Sequence, residues 1–326
     1  MNRPRQAGMA LLTVLLMVAV MAALAIAMLD AIRFGLRRSQ NADTAARAHW
    51  YAVSAETMAQ TQIRRLLRRD PARTTLDGGW NGRPFVFPVE DGSIRATLED
   101  SGNCFNLNSV VEGAPEQWRR RVLGVGQYLA LLQSVGITGA AAQSLADALV
   151  DWVDSDGERS PYGAEDAAYA RHRPSYATSG ALLAEPSELR AIAGYDAGTY
   201  RRLRPYLCAL PDNALSPINL NTLRPGDVPL LQMLTGSALS AGEARRLIAS
   251  RPPGGWAQVA AFWQQPALRA LPLPGEVLGQ PRVRTRYFRL QVQVALGDAQ
   301  LQATSLFDAD AGGRIRLLAR RWSEEE

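Results

Sequence analysis

The sequence predicts an α+β fold in which one long N-terminal helix packs on a small antiparallel sheet. Three observations support this: an uncharged apolar run at the N-terminus, alternating segments near both ends of the remaining chain, and an internal helical repeat between them. At 326 residues, with 47% hydrophobic and 21% charged residues, the chain is long and apolar enough to bury a core. A net charge of +5, spread without a basic stripe, does not indicate a nucleic-acid-binding surface.

The first element is a helix that begins in an apolar run from Met9 to Leu29. A helix of this length spans roughly the 30 Å hydrocarbon core of a bilayer. The run is longer than the apolar core of an ordinary signal peptide. Strong helix formers continue to Arg69, interrupted only by Gly35. We therefore expect one helix, with residues 9–29 in the membrane and the rest outside it.

The next elements are short strands with alternating polarity. Pro84 to Val89 and Ser93 to Glu99 flank an Asp-Gly pair and predict a hairpin. Near the C-terminus, residues 286–294, 299–306 and 314–320 alternate in the same way. Strands at both ends of this region predict a single sheet, with residues 105–283 inserted between its strands.

The insertion contains a repeat. FNLN, at residues 105–108, leads to a helix ending near Trp152, and INLN, at residues 218–221, leads to one ending near Arg251. The two units resemble helix-hairpin-helix (SAM-like) modules, which often bind DNA phosphates. A membrane-anchored DNA-binding protein is therefore the alternative function. The second hairpin, residues 236–242, carries no basic residue, which favours protein packing and no nucleic-acid partner.

The N-terminus resembles that of type IV pilins and type II secretion pseudopilins, because Gly8 directly precedes the segment MALLTVLLMVAVMAALA. The resemblance implies cleavage between Gly8 and Met9 by a prepilin peptidase, and methylation of Met9. Thr13 stands where most members of this family carry Glu, a departure characteristic of the K-type minor pseudopilin. The competing interpretation is an uncleaved signal anchor.

Resemblance to the K-type family implies a division of the chain. The expected units are a leader (1–8), a transmembrane part (9–29), a periplasmic helix with the first strands of a pilin-like domain (30–104), the helical insertion (105–283) and the C-terminal strands (284–326). The expected location is the bacterial inner membrane, with one lipid-embedded helix and the large domain in the periplasm. Charges flanking the span leave this orientation open, because Arg33, Arg37 and Arg38 rival Arg3 and Arg5.

The same resemblance implies a non-enzymatic role in protein secretion. The expected partners are the I- and J-type minor pseudopilins in a complex at the pseudopilus tip, the H type and secreted substrates. A stripe of small residues on the first helix permits close approach of another helix, which predicts a partner interface at Ala45, Ala48, Ala52, Ala55 and Ala59.

An acidic segment follows the first repeat helix and predicts a structural calcium site. Asp154 and Asp156 alternate before a Gly, and Glu165 and Asp166 follow a second Gly. Carboxylates so spaced can converge on a hard cation, although the register is not that of an EF-hand. Resemblance to the K-type family also implies calcium here. The alternative is a solvated acidic loop that caps the helix.

The two cysteines, Cys104 and Cys208, each stand shortly before a repeat motif. In an oxidising compartment they are expected to pair, whereas two buried thiols are the alternative. The sequence shows no nucleophile motif, and His49 and His172 have no partner in one. We therefore expect no catalytic site.

Overall fold

The long N-terminal helix, α1, spans Arg5–Arg69 in the computed structural model. The structure describes the backbone of residues 5–323 and the side chains of residues 9–322. The predicted leader, residues 1–8, therefore lies outside the residues described in full. The large apolar side chains of α1 from Met9 to Leu36 are exposed, and this part is long and apolar enough to cross a membrane. It fits a single-pass membrane anchor.

A five-stranded antiparallel sheet packs on the second half of α1. Its strands are β1 (Pro84–Val89), β2 (Gly92–Asp100), β7 (Tyr287–Leu296), β8 (Ala299–Ala309) and β9 (Ile315–Ser323), in that spatial order. Predicted strands occur in all five places, with ends displaced by up to three residues. Alternate residues of β7 and β8 face α1 and are buried, as a half-buried sheet requires.

The alanine stripe of α1 packs on this sheet and not on a partner. Ala48, Ala52, Ala55 and Ala59 are buried in one core cluster with residues of β2, β7 and β8. Small side chains do allow close approach, but the surface that approaches is the protein's own sheet. Only Ala45 of the predicted interface is exposed. The predicted partner interface is therefore wrong at the four buried positions.

The insertion between β2 and β7 contains short strands and helices. Its strands are β3 (Phe105–Asn106), β4 (Val111–Glu112), β5 (Arg119–Arg120) and β6 (Leu207–Cys208). Its α-helices are α2 (Val122–Ser134), α3 (Gly139–Val153), α4 (Asp166–Tyr169), α5 (Ala197–Leu203), α6 (Val228–Leu234), α7 (Ala241–Ala249), α8 (Val259–Trp263) and α9 (Gly275–Leu278). Short 3-10 helices cover Leu107–Val110, Pro186–Ala191, Arg204–Tyr206 and Pro225–Asp227. One continuous apolar core fills the insertion.

The two Asn-x-Asn motifs organise the insertion in the same way. The second asparagine of each is buried and bonds backbone groups of distant segments: the Asn108 amide donates to the Leu183 and Leu210 carbonyls, and that of Asn221 to those of Trp256 and Val283. A buried amide pays a desolvation cost unless it is satisfied, so each motif holds its loops in one arrangement. Helix pairs follow both motifs: α2 and α3 after the first, α6 and α7 after the second.

A disulfide ties the insertion together at its base. Cys104 and Cys208 are bonded, with Cα atoms 5.7 Å apart, beside the parallel pairing of β3 with β6. Their side chains lie in a small apolar cluster with Leu210 and Tyr287. The first residue of β7 thus meets the disulfide, so the bond sits where the insertion joins the sheet.

Candidate cation site and partner surface

Three aspartates lie on one face of α3 and at its C-terminal cap, at Asp147, Asp151 and Asp154. Spacings of four and three residues place side chains on the same face of a helix. Asp147 is paired, since both terminal nitrogens of Arg120 donate to its Oδ1 at 2.9 Å. Asp151 accepts from the Ser160 amide at 3.2 Å, and burial raises its pKa. Carboxylate charge therefore accumulates toward the end of the helix.

Asp154 and Glu165 are the buried members of this acidic group that each keep an oxygen without a hydrogen-bond donor in the described part of the chain. They are 6% and 9% exposed, and the oxygens concerned are Asp154 Oδ1 and Glu165 Oε1. Burial raises the pKa of Asp154 to about 7, with further contributions from the charges of Asp156, Asp151 and Glu165. Burial also raises the pKa of Glu165. Buried oxygens without donors are the groups that a hard cation would satisfy.

The other two predicted ligands have different surroundings. Asp156 is exposed, and its Oδ1 accepts from the Glu158 amide at 2.9 Å. Asp166 Oδ1 accepts from both the amide and the hydroxyl of Thr178 at 2.8 Å, and these bonds lower its pKa. Within residues 5–323, no group of three or more His, Cys, Asp or Glu side chains has the arrangement of a complete metal site.

Sequence reasoning missed Asp151 as a candidate ligand. Gly163 packs against its carboxylate so closely that a Cβ would overlap it. Two features of the sequence point to Asp151. The helical spacing places it on one face with Asp147 and Asp154, and Gly163 shortly precedes the predicted ligands Glu165 and Asp166.

An aromatic cluster lies beside the acidic group. The Trp152 and Tyr169 rings meet edge to face at 5.2 Å, and Tyr176 packs on both. The loop returns to α3 because the amides of Ser179 and Gly180 donate to the Trp152 carbonyl at 3.1 Å. The ring contacts and these two bonds hold the returning loop against the end of α3.

An exposed apolar surface lies beside the sheet edge. On α1, Met58 is 52% exposed, and on the edge strand β1, Phe85 is 39% exposed. A cavity of about 450 Å³ opens between the helix and β1, lined by Met58, Phe85 and Phe87 among others. We call Met58, Phe85 and Phe87, which line this cavity together, the edge surface. Large apolar side chains grouped on a surface often mark a protein interface.

The second hairpin of the insertion offers little for a phosphate. Ser240 caps α7, and the Glu243 carboxylate reaches back to the Ser240 amide at 2.9 Å. That carboxylate lies at the helix N-terminus, where a DNA phosphate would have to bind, and would repel it. The hairpin geometry therefore does not favour the DNA-binding alternative.

Comparison with known proteins identifies the family. Two sequence-family models, both described as type II secretion system (T2SS), protein K, match residues 103–212 and 218–280. The type II secretion system protein K of Klebsiella pneumoniae is 37% identical over 322 residues, which cover 98% of this chain and 97% of that protein. The chain belongs to the type II secretion system protein K family. It is thus a minor pseudopilin of that secretion system.

Two further comparisons extend over most of the chain. The protein K of Aeromonas hydrophila is 34% identical over 326 residues, covering 97% of each chain. A chain in the crystal structure of the GspK-GspI-GspJ complex from enterotoxigenic Escherichia coli matches with a TM-score of 0.76 and 28% identity, covering 88% of this chain and 100% of that one. The predicted fold, a long helix packed on an antiparallel sheet with a mostly helical insertion, is confirmed.

Proposed function

We propose that this protein K joins the I- and J-type minor pseudopilins at the tip of the pseudopilus and supports assembly of that fibre. The observation that carries the proposal is its likeness, over 88% of the chain, to a member of a GspK-GspI-GspJ complex. A physical argument supports the terminal position. The insertion between β2 and β7 is far larger than the sheet from which it projects, so a subunit stacked on that side would collide with it.

The edge surface is our proposed contact for those partners, in place of the alanine stripe. The test is co-purification of the full chain with its I- and J-type partners. Met58→Glu should reduce recovery of the complex, because it places a charge in an apolar contact, while the melting temperature stays unchanged. Val122→Glu is the matched control, since Val122 is 83% exposed on α2. Equal loss in both variants, or loss in neither, would remove the edge surface from the interface.

Ala52→Glu separates folding from assembly in the same assay. Ala52 is 1% exposed in the helix-sheet core, so its replacement by a charge should lower the melting temperature whether or not partners are present. An Ala52→Glu variant that melts like the parent but loses its partners would restore the alanine stripe as an interface.

We further propose that a prepilin peptidase cleaves between Gly8 and Met9 and that Met9 is methylated. Support comes from the family and from the uncharged helix that follows Gly8. Mass spectrometry of protein from a host with that peptidase should give Met9 as the first residue. Gly8→Leu should block the cut, whereas Gly35→Leu, in the open middle of the helix, should not. An intact Met1 in the parent would refute the processing proposal.

The large domain is proposed to lie in the periplasm, anchored in the inner membrane by α1. The Cys104–Cys208 disulfide supports this, because such bonds persist in oxidising compartments such as the periplasm. Protease added to spheroplasts should digest the domain; complete protection in intact spheroplasts would place it in the cytoplasm.

A structural calcium ion is proposed for the acidic group. Asp154 and Glu165 would hold it through their unpartnered oxygens, with Asp156 and Asp166 at the rim. The ion would supply the positive charge that buried carboxylates lack and fasten the loop to the end of α3. The secreted substrates and the H-type pseudopilin stay predictions as partners.

A further inference from the structure

Three arginines follow the apolar run of α1 at close spacing, at Arg33, Arg37 and Arg38. The only acid among residues 30–38 is Asp30, so this segment carries a net charge of +2. Arg33 lies 3.8 Å from the Asp30 carboxylate, whereas Arg37 and Arg38 form no ion pair with any side chain that the structure describes. We call residues 30–38 the basic segment.

The basic segment is not covered by the rest of the described chain. All of its residues are exposed, and the first buried residue of α1 among those described is Ala48. Large apolar side chains continue through the segment at Ile32, Phe34 and Leu36, each more than half exposed. A helix surface that mixes apolar and cationic side chains is typical of the boundary between lipid hydrocarbon and water.

With α1 anchored in the membrane as proposed above, the basic segment lies near the depth of the lipid phosphates. A helix rises 1.5 Å per residue, so Arg33 lies about 6 Å and Arg38 about 14 Å beyond Leu29, the last residue of the apolar run. The headgroup layer is roughly 5–8 Å thick on each side of the hydrocarbon core. Because the Cα–Cβ bonds of a helix tilt toward its N-terminus, here toward the membrane, the long side chains of Arg37 and Arg38 can reach back to that layer.

Membrane topology does not explain the charge of the basic segment. Positive residues are enriched on the cytoplasmic side of a membrane span. With the large domain in the periplasm, as proposed above, these arginines lie on the opposite side. They therefore oppose the usual orientation signal, which indicates that they serve another purpose. The anions present at this depth in a bilayer are the phosphates of its lipids.

We propose that Arg37 and Arg38, assisted by Arg33, bind the phosphate groups of anionic phospholipids and so fix the depth of α1 in the bilayer. This inference rests on the membrane anchor proposed above. A guanidinium group suits a phosphate because it can donate two parallel hydrogen bonds to the phosphate oxygens. Lipid binding at this place opposes withdrawal of the helix from the bilayer until the subunit joins a fibre.

The test uses the full chain in non-ionic detergent with equal amounts of phosphatidylglycerol and phosphatidylcholine, and native mass spectrometry counts the bound lipids. The parent should retain phosphatidylglycerol in preference. Arg37→Gln with Arg38→Gln should reduce this preference roughly ten- to twentyfold, since each basic residue near an anionic surface contributes about a factor of five. Arg245→Gln with Arg246→Gln removes the same charge from adjacent exposed positions on α7 and should leave the preference unchanged.

The same preference in the parent and in the Arg37→Gln, Arg38→Gln variant would overturn the proposal, as would an equal loss in the two double variants. Displacement of phosphatidylglycerol by inorganic phosphate at matched ionic strength would assign the site to free phosphate instead of a lipid. A variant that keeps its lipids but loses its I- and J-type partners on co-purification would assign the basic segment to a protein contact.

Carbonate extraction of membranes tests the anchor separately. A parent protein that carbonate removes from the membrane would refute the anchor itself. A parent that stays in the membrane but shows no preference for phosphatidylglycerol would refute lipid binding by the basic segment and leave the anchor standing.

Discussion

Calcium removal should destabilise the protein in a manner that depends on Asp154. Burial beside other carboxylates raises the pKa of this group from 3.8 to about 7. At 1.36 kcal/mol per pKa unit, keeping Asp154 ionised without a cation costs about 4 kcal/mol. For a domain of this size the corresponding change in melting temperature is about 5–10 °C. Calcium would supply the missing charge and remove most of that cost.

The pH dependence of this effect has a definite sign. With calcium chelated, the folded protein holds a proton on Asp154 that the unfolded chain releases above its lower pKa. Folding stability should therefore fall as pH rises through the window between the two pKa values and level off above pH 7. Asp151 and Glu165, whose pKa values burial also raises, act in the same direction. Saturating calcium should flatten the profile.

The assay is a thermal melt of the full chain in detergent at pH 5 and pH 8, with calcium or with chelator. Asp154→Asn keeps the shape and removes the charge. At pH 8 without calcium it should melt above the parent, and it should lose most of the calcium response. Asp298→Asn, in the exposed turn after β7, is the control. A parent melt that chelator leaves unmoved at pH 8 would refute the site, as would a full calcium response in Asp154→Asn.

Two further predictions concern packing. Replacing Cys104 and Cys208 with serine should lower the free energy of unfolding by up to about 4–5 kcal/mol, since the bond closes a loop with a sequence separation of 104; a denaturant midpoint unchanged from the parent would contradict this. Gly124→Ala should destabilise the protein by about 1–3 kcal/mol, because a Cβ there would overlap the Ser109 carbonyl oxygen. Gly126→Ala, where the added Cβ meets open space, is the matched control.

Periodicity predicted the elements of this fold but not what covers each face. The apolar run and helix formers through Arg69 predicted α1, and alternation predicted every strand of the sheet. The stripe at Ala48 and Ala52 correctly predicted that another element packs closely on this face of α1. The prediction that this element belongs to another subunit was wrong, because helical spacing indicates that a face is buried but not which surface buries it. That answer depends on contacts between α1 and strands more than 200 residues away in the chain.

At the acidic group, sequence spacing identified the segment but not which of its carboxylates are buried and which accept hydrogen bonds. Asp154 and Asp166 look alike in the sequence. In the fold, Asp154 is buried with an unpartnered oxygen, whereas Asp166 accepts two bonds from Thr178, twelve residues further along the chain. Such differences arise from how the loop returns to α3, which depends on the aromatic packing around Trp152.

Besides the disulfide, the insertion is joined to the sheet by the carboxylate of Asp100, a half-buried residue at the end of β2. Its Oδ2 accepts from Thr222 Oγ1 at 2.7 Å and Thr285 Oγ1 at 2.5 Å, and from the Asn219 amide at 3.4 Å. Asn219 and Thr222 belong to the insertion, and Thr285 leads into β7. The carboxylate therefore joins the start of the sheet, its return strand and the second Asn-x-Asn motif. Burial raises its pKa, so the donors around it are what keep it in place.

The proposed role of the insertion as a steric block at the end of a fibre requires rigid attachment, because a loosely hinged domain would move aside for an added subunit. Asp100→Asn keeps the size of the side chain but replaces an acceptor oxygen by an NH2 group that faces other hydrogen-bond donors. This change should lower the free energy of unfolding by about 1–3 kcal/mol. Asp298→Asn, in the exposed turn between β7 and β8, is the control. We expect Asp100→Asn to lower the melting temperature and to speed hydrogen exchange at the amides of Asn219 and Thr285 before the sheet exchanges. If these amides instead exchange together with those of the sheet in Asp100→Asn, the disulfide and the core contacts are sufficient to hold the insertion on the sheet. Asp100 would then not be the residue that joins them.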